Sequence, residues 1–279
     1  MEKVPSADLS NFSGALALVG AGKMGSALLQ GWLGLGLDAG RVVVLEPQPS
    51  DQIVALRARG LRLNPDLGAE HPVDVVVLAV KPQIAAEVLP RLAPLVGPQT
   101  LVVSIMAGTP LRFLTAALPA DTAIVRAMPN TPAAIGRGIT VAAANARVTP
   151  EQRDVAHALL AAAGSIEWVD DEGLLDAVTA VSGSGPAYVF LLAESLARAG
   201  IAAGLPPKLA ARLARETVAG SGELLHRSPI EPATLRENVT SPGGTTAAAL
   251  DVLMAPDGLD RLMETAVAAA TRRSRELAG

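Results

Sequence analysis

The strongest constraint on this chain is an alternation confined to its first 170 residues. Five short runs read as strands: ALALVG (15–20), VVVLE (42–46), DVVVLAV (74–80), TLVVSIMAG (100–108) and AIVRAM (123–128). Gly, Pro and Asp bound them, and stretches with helical periodicity, such as SALLQGWLGLG and PQIAAEVLPRLAPLV, separate them. Strands apolar from end to end with helices between them imply a parallel sheet covered on both faces. GITVAAAN (138–145) and SIEWVD (165–170) read as later strands of the same sheet. After about residue 171 only helical stretches follow, broken by GLPP (204–207), RSPIEP (227–232), TSPGG (240–244) and APDG (255–258). In the first of them Tyr188, Leu191, Leu192, Ser195, Leu196 and Ala199 share a face, while Glu194 and Arg198 stand four apart and can pair. Pro186 lies in that helix's first turn, where a missing N–H is tolerated.

The domain reading is a frayed start over 1–14, an α/β doubly wound domain over 15–170 and an all-helical domain over 171–279. Half of the 279 residues are hydrophobic, enough for sizeable cores, and a net charge of −4 argues against nucleic acid as a partner. There is no cysteine, and the three histidines, His71, His157 and His226, show no ligand spacing, so no metal site is expected. No segment reads as the roughly 20 apolar residues of a membrane span. The opening MEKVPSADLSNFSG lacks a signal-peptide apolar region, so the expected compartment is the cytoplasm.

The first strand runs directly into VGAGKMG and then a helix, which gives G-x-G-x-x-G at Gly20, Gly22 and Gly25 in a strand–turn–helix setting. There the first glycine makes the tight turn, the second lets a pyrophosphate approach the backbone and the third lets helix and strand pack. This is the Rossmann-type dinucleotide fingerprint. Ala21, Lys23 and Met24 complete the phosphate loop, and the phosphates meet the positive end of the helix. Glu46 ends the second strand, where a carboxylate accepts hydrogen bonds from the adenosine ribose and repels a 2′-phosphate. That tilts an NADH-or-NADPH choice toward NADH, although Glu46 stands somewhat beyond the usual spacing of about 20 residues. LAVKPQ and SIMAG place Val80, Lys81, Ala107 and Gly108 at later strand ends, where open parallel sheets bind ligands.

A dinucleotide in an enzyme implies hydride transfer. A ketone acceptor would need an acid for its alkoxide. The candidate segments of the helical half, SGSGPAY (182–188) and TSPGGTT (240–246), offer only hydroxyls and backbone N–H groups. They suit a protonated imine with a carboxylate, since a glycine-lined helix start binds anions. Capping needs one oxygen, whereas Thr240, Thr245 and Thr246 supply three. A β-hydroxyacid dehydrogenase would carry a lysine in the first helix after the sheet, and SGSGPAYVFLLAESLARAG has none. A non-catalytic dinucleotide sensor with a helical dimerisation domain is the rival of another class.

The motifs VGAGKMG, LAVKPQ, SIMAG, RAMPNTP, VSGSGPAY, GLP and NVTSPGGTT, in this order, resemble the pyrroline-5-carboxylate reductase family from Gly14 onward. The resemblance implies reduction of Δ1-pyrroline-5-carboxylate to L-proline with NAD(P)H, the last step of proline synthesis. It also implies an interlocked homodimer through the helical domain, with a ring of dimers as in many members. Carried over by position, Gly20 to Gly25 hold the pyrophosphate, while Val80, Lys81 and Ala107 line the nucleotide path. Asn64 approaches the adenosine, and Asn238 meets the cofactor from the helical domain. Gly243, Gly244 and Thr245 offer N–H groups to the substrate carboxylate, and Thr246 places its hydroxyl by the ring nitrogen as the catalytic group. Asp171 lies near the substrate. RAMPNTP (126–132) is expected to be a rigid turn over the nicotinamide, because proline restricts itself and its predecessor. Glu46 departs from the small hydroxyl residue of many members.

Overall fold

The structure, a computed structural model, describes residues 8–67 and 71–278. The apolar runs become β1 (Leu16–Val19), β2 (Val42–Leu45), β4 (Val75–Leu78), β5 (Leu101–Ser104), β6 (Ala123–Met128), β7 (Gly138–Ala144) and β8 (Gly164–Trp168). A two-residue edge strand, β3 (Arg62–Leu63), is too short to show any periodicity in the sequence. All eight form one sheet in the order β3-β2-β1-β4-β5-β6-β7-β8, so the direction of winding reverses between β1 and β4. Pairing is parallel except between β6 and β7. The connection 129–137 is too short for a crossover, which takes a dozen or more residues, so β7 must run back beside β6.

The helices are α1 (Lys23–Gly34), α2 (Asp51–Ala55), α3 (Ala85–Val88), α4 (Leu111–Ala117), α5 (Pro150–Ala161), α6 (Leu175–Val178), α7 (Gly185–Ala202), α8 (Pro207–Arg227), α9 (Pro232–Asn238), α10 (Thr245–Leu253) and α11 (Leu259–Ala278). The expected helix in PQIAAEVLPRLAPLV is four residues of α3 between two 3₁₀ segments, Pro82–Ile84 and Leu89–Leu95. Pro90 and Pro94 lack the N–H groups that an α ladder needs.

Alternate residues of each strand enter opposite layers. Leu16, Leu18, Val42, Val44, Val75 and Val77 share a core with Leu28, Leu29 and Trp32 of α1 and Leu159 of α5. Ala17, Val19, Val43, Val76 and Leu78 face the other layer with Leu89, Leu92 and Leu114. Indole Nε1 of the buried Trp32 donates to the Leu159 carbonyl at 2.7 Å, which satisfies its polar edge and ties α1 to α5.

The frayed start requires a correction. Residues 1–7 lie outside the described residues, but Leu9 is buried in the α1 layer and its N–H donates to the Leu35 carbonyl at 2.9 Å. The Arg41 guanidinium donates to the Ser13 carbonyl. One buried leucine and these backbone bonds dock a segment that polar composition alone marks as loose.

Two compact units emerge: one runs through Gly183 and regains the chain from Thr271, and the other is Ser184–Ala270. The sequence reading divides the chain at 170/171. Residues 171–183 go with the sheet because Leu175 is fully buried against Val141 and Ala143. The end of α11 goes with it because Ser274 Oγ donates to Asp176 Oδ1 at 2.6 Å and Arg112 Nη2 donates to the Ala278 carbonyl at 3.0 Å.

A second correction concerns membrane spans. Glu172–Ala202 is one helical run of 31 residues that holds an 18-residue window of mean hydropathy 1.3, long and apolar enough to cross a membrane by length and composition alone. The glycines and proline of SGSGPAY suggest an interruption, but a π turn, Thr179–Gly183, carries the helix through them. In the helical unit α7, α9 and α10 bury no residue, and α8 buries only Ala210 and Ala214. Phe190 is 64 % exposed, Val252 72 % and Leu262 63 %. An apolar surface of this extent marks an interaction face.

Leu9→Ala is expected to lower stability by about 2–3 kcal/mol, the cost of truncating a core leucine, in urea unfolding. Unchanged unfolding would show that the segment is frayed after all.

Candidate active site

The parallel strands bring their carboxyl ends to one edge, where the predicted cofactor residues of the sheet unit collect. Gly20 follows β1 at φ +90°, and a Cβ there would stand 2.7 Å from the Ala79 carbonyl oxygen. A Cβ on Gly25 would overlap the Gly20 carbonyl oxygen, so its absence lets α1 press against the end of β1. A Cβ on Gly22 would meet nothing within 4 Å, which leaves open space over the loop. Gly22 is the N-cap of α1, with no side-chain cap and no acid in the first turn. The first N–H groups of α1 therefore keep their partial positive charge for an anion. These features fit a pyrophosphate. Lys23 is exposed and Met24 half-buried beside it, and Ala21 is buried.

Glu46 reaches back to this loop. Its Oε2 accepts the Ala21 N–H at 2.8 Å and its Oε1 accepts the Gln48 N–H at 3.0 Å. Each carboxylate oxygen keeps a second lone pair for a hydroxyl. Asn64, left-handed at φ +49°, has both ends of its amide engaged by the Glu46 backbone: Oδ1 accepts its N–H and Nδ2 donates to its carbonyl, each at 2.8 Å. The structure thus makes Asn64 the clasp that fixes Glu46. Val80 is half-buried, while Lys81 and Ala107 are exposed along the same edge.

Asp171 acts locally. Its Oδ1 accepts the Gly173 N–H at 2.8 Å and caps a 3₁₀ turn. The next residue makes the longer connection. Glu172 Oε1 lies 2.6 Å from Nη1 of the buried Arg126 and accepts the Leu111 N–H at 2.7 Å, joining β6, α4 and the start of the long helical run. The sequence shows a DDE run but not which acid finds a partner 46 positions earlier.

The helical unit holds the rest of the predicted set, Asn238 and Gly243 to Thr246. Gly243 is left-handed at φ +66°, and Gly244 is the N-cap of α10, with no side-chain cap and no acid in the first turn. The Gly244 N–H is engaged, donating to the Ser241 carbonyl at 3.0 Å, so the amides without an intrahelical acceptor begin at Thr245. Thr240 is engaged too: its Oγ1 donates to the Arg236 carbonyl at 2.7 Å and closes α9. Of the three threonines, Thr245 and Thr246 stand in the first turn of α10. Asn238, exposed, ends α9. Ser184 does not cap α7: its backbone is helical and its side chain makes no cap bond.

The sequences of known proteins agree with this arrangement. Residues 172–277 match the family model for pyrroline-5-carboxylate reductase dimerisation, and residues 15–108 match one described as NADP oxidoreductase, coenzyme F420-dependent. The pyrroline-5-carboxylate reductase of Pseudomonas aeruginosa is 42 % identical over 264 residues, covering 94 % of this chain and 96 % of that protein. The chain belongs to the pyrroline-5-carboxylate reductase family. The enzyme of Synechocystis is 43 % identical, with 94 % of this chain and 97 % of that protein covered. Among solved structures, the Coxiella burnetii reductase superposes with a TM-score of 0.88 at 32 % identity, covering 96 % of this chain and 99 % of that one. The Plasmodium falciparum reductase, solved with NADP bound, gives 0.80 at 30 % identity, covering 96 % and 99 %. The helical unit therefore lies within the family's dimerisation segment, and α7 and α10 carry exposed leucines and valines there.

Glu172→Gln should cost about 2–3 kcal/mol in thermal or urea unfolding, because Arg126 stays buried without its counter-charge. Asp171→Asn, which alters only an exposed cap, should stay within about 1 kcal/mol. Equal effects would contradict the division of labour between the two acids.

Proposed function

We infer that this chain reduces Δ1-pyrroline-5-carboxylate to L-proline with a nicotinamide cofactor, the final step of proline biosynthesis. The observation that carries the reading is the bare start of α10, where the turn at Gly243 and Gly244 leaves the amides and hydroxyls of Thr245 and Thr246 without a charged group beside them. A planar imine acid needs little else. Its carboxylate takes the N–H groups of Thr245 and the residues after it, within the positive end of the helix. Gly243 and Gly244 keep side chains away from that approach. The Thr246 hydroxyl stands by the ring nitrogen as the catalytic group. That nitrogen is protonated before reduction, so no side-chain acid has to deliver a proton to it. A dinucleotide held by Gly20 to Gly25 would supply the hydride that C5 of the ring accepts. The protein's contribution is positioning and fixed dipoles.

In the sheet unit Gly20 to Gly25 receive the pyrophosphate, while Val80, Lys81 and Ala107 line the nucleotide path. Glu46 receives the adenosine ribose hydroxyls, and its charge disfavours a 2′-phosphate, which makes NADH the better cofactor. Asn64 acts on the adenosine side through Glu46. Asn238 serves the cofactor from the helical unit, and Asp171 lies by the substrate. The protein works as a homodimer through the helical unit, with a ring of dimers as its larger assembly, and it is cytoplasmic.

Steady-state rates with Δ1-pyrroline-5-carboxylate test the assignment. Wild-type protein is expected to form proline, and Thr246→Val to lose about tenfold or more in kcat, the scale of one transition-state hydrogen bond, with the Kd for NADH unchanged. Folded protein that binds dinucleotide but forms no proline would contradict the reductase reading. Parallel loss of rate and NADH binding would make Thr246 structural.

A further inference from the structure

RAMPNTP (126–132) forms the end of β6 and the turn after it, and the reductase reading gives its asparagine, Asn130, no role. Glu46 places the adenosine over β2, so a dinucleotide laid across the point where the winding reverses carries its nicotinamide toward β4, β5 and β6. The segment after β6 is therefore on the reacting side of the sheet.

Asn130 occupies the N-cap position of a 3₁₀ turn, Thr131–Ile135, and asparagine there ordinarily caps its own turn. It does not: it makes no cap hydrogen bond. Its Oδ1 instead accepts the Ile139 N–H at the start of β7 at 3.0 Å, and its Nδ2 donates to the Ser182 carbonyl at 3.2 Å. Ser182 sits in the π turn of the run Glu172–Ala202. Pro186, four residues on, has no N–H, so the ladder bond that an α register would send to the Ser182 carbonyl cannot form. The next N–H, that of Ala187, goes to Ser184 at 2.9 Å. A carbonyl left open inside a helix costs free energy unless another donor reaches it. Met128 packs on the same turn, where a Cβ on Gly183 would stand 2.5 Å from its Cε.

We propose that Asn130 is a positioning residue: its amide replaces the helical N–H that Pro186 lacks and fixes the π turn of SGSGPAY to the segment following β6. This rests on the reductase reading, since it gives the turn its place in the reaction. Asn130 holds the end of β6 and the π turn in one register, so that the backbone on the nicotinamide side does not shift between turnovers. π turns of this kind recur at functional sites because they re-aim a helix at the cost of ladder bonds.

The test is a cycle of Asn130→Ala, Pro186→Ala and the double variant, with Pro186→Ala alone as the reference for the double. Asn130→Ala is expected to lower kcat by about tenfold, the effect of one hydrogen bond lost at a positioned site, with the Kd for NADH unchanged. Amide hydrogen exchange over residues 179–187 should rise in the same variant. In the double variant residue 186 has an N–H for Ser182, and both effects should shrink at least threefold. Asn130→Asp keeps the acceptor for Ile139 and loses the donor, so it should behave as Asn130→Ala does even if the alanine variant folds poorly. Unchanged kcat and exchange in Asn130→Asp would overturn the proposal, and so would an Asn130→Ala defect that Pro186→Ala does not relieve. Hydrogen exchange needs no substrate, so a wrong assignment of the reaction would silence the kinetic arm and leave the exchange arm to decide.

Discussion

The carboxyl edge of the sheet depends on the missing Cβ of Gly25. Because nothing stands between its α carbon and the Gly20 carbonyl, α1 begins directly on the end of β1. Its uncapped N–H groups then open onto the space above Gly22. Any side chain at Gly25 would drive helix from strand and move that dipole off the loop. The Glu46 carboxylate, fixed by the Ala21 and Gln48 amides and by the Asn64 clasp behind it, ties the same loop to the end of β2. The loop that would hold the phosphates and the group that would read the ribose are therefore mechanically one object.

The helical unit solves a related problem differently. Its proposed anion site is again a helix N-terminus preceded by glycine, at Gly243 and Gly244. Here α7, α9 and α10 bury no residue of their own. Phe190, Leu191, Leu192, Val252 and Leu262 stay exposed in the single chain, an apolar surface of the kind that marks an interaction face. That surface lies within the segment that matches the family's dimerisation model.

Local pattern made most of the fold legible. The strands were readable because apolar β-branched runs between breakers have few alternatives, and the glycine fingerprint because each glycine answers a separate steric demand. The misses share one cause, partners far away in sequence. Glu172 rather than Asp171 makes the long connection because Arg126 lies across the sheet, which no i,i+4 rule reveals. Asn64 reads as a nucleotide contact, yet its side chain is consumed by the backbone 18 positions earlier. Leu9 is polar in company and buried in fact. SGSGPAY carries two glycines and a proline, yet a π turn leads the helix into it, and the Asn130 donor that meets its Ser182 carbonyl comes from 52 positions earlier.

If a carboxylate locked to the glycine loop selects the cofactor, the choice between NADH and NADPH has to follow residue 46. Initial rates of NADH and NADPH oxidation with Δ1-pyrroline-5-carboxylate, in wild-type protein and in Glu46→Ser, decide this. NADH should be favoured at least several-fold by the wild type, with the ratio of kcat/KM values falling by about tenfold or more in the variant, the scale of one charge–phosphate repulsion removed. A wild type that favours NADPH, or a ratio that Glu46→Ser leaves unmoved, would contradict selection by Glu46.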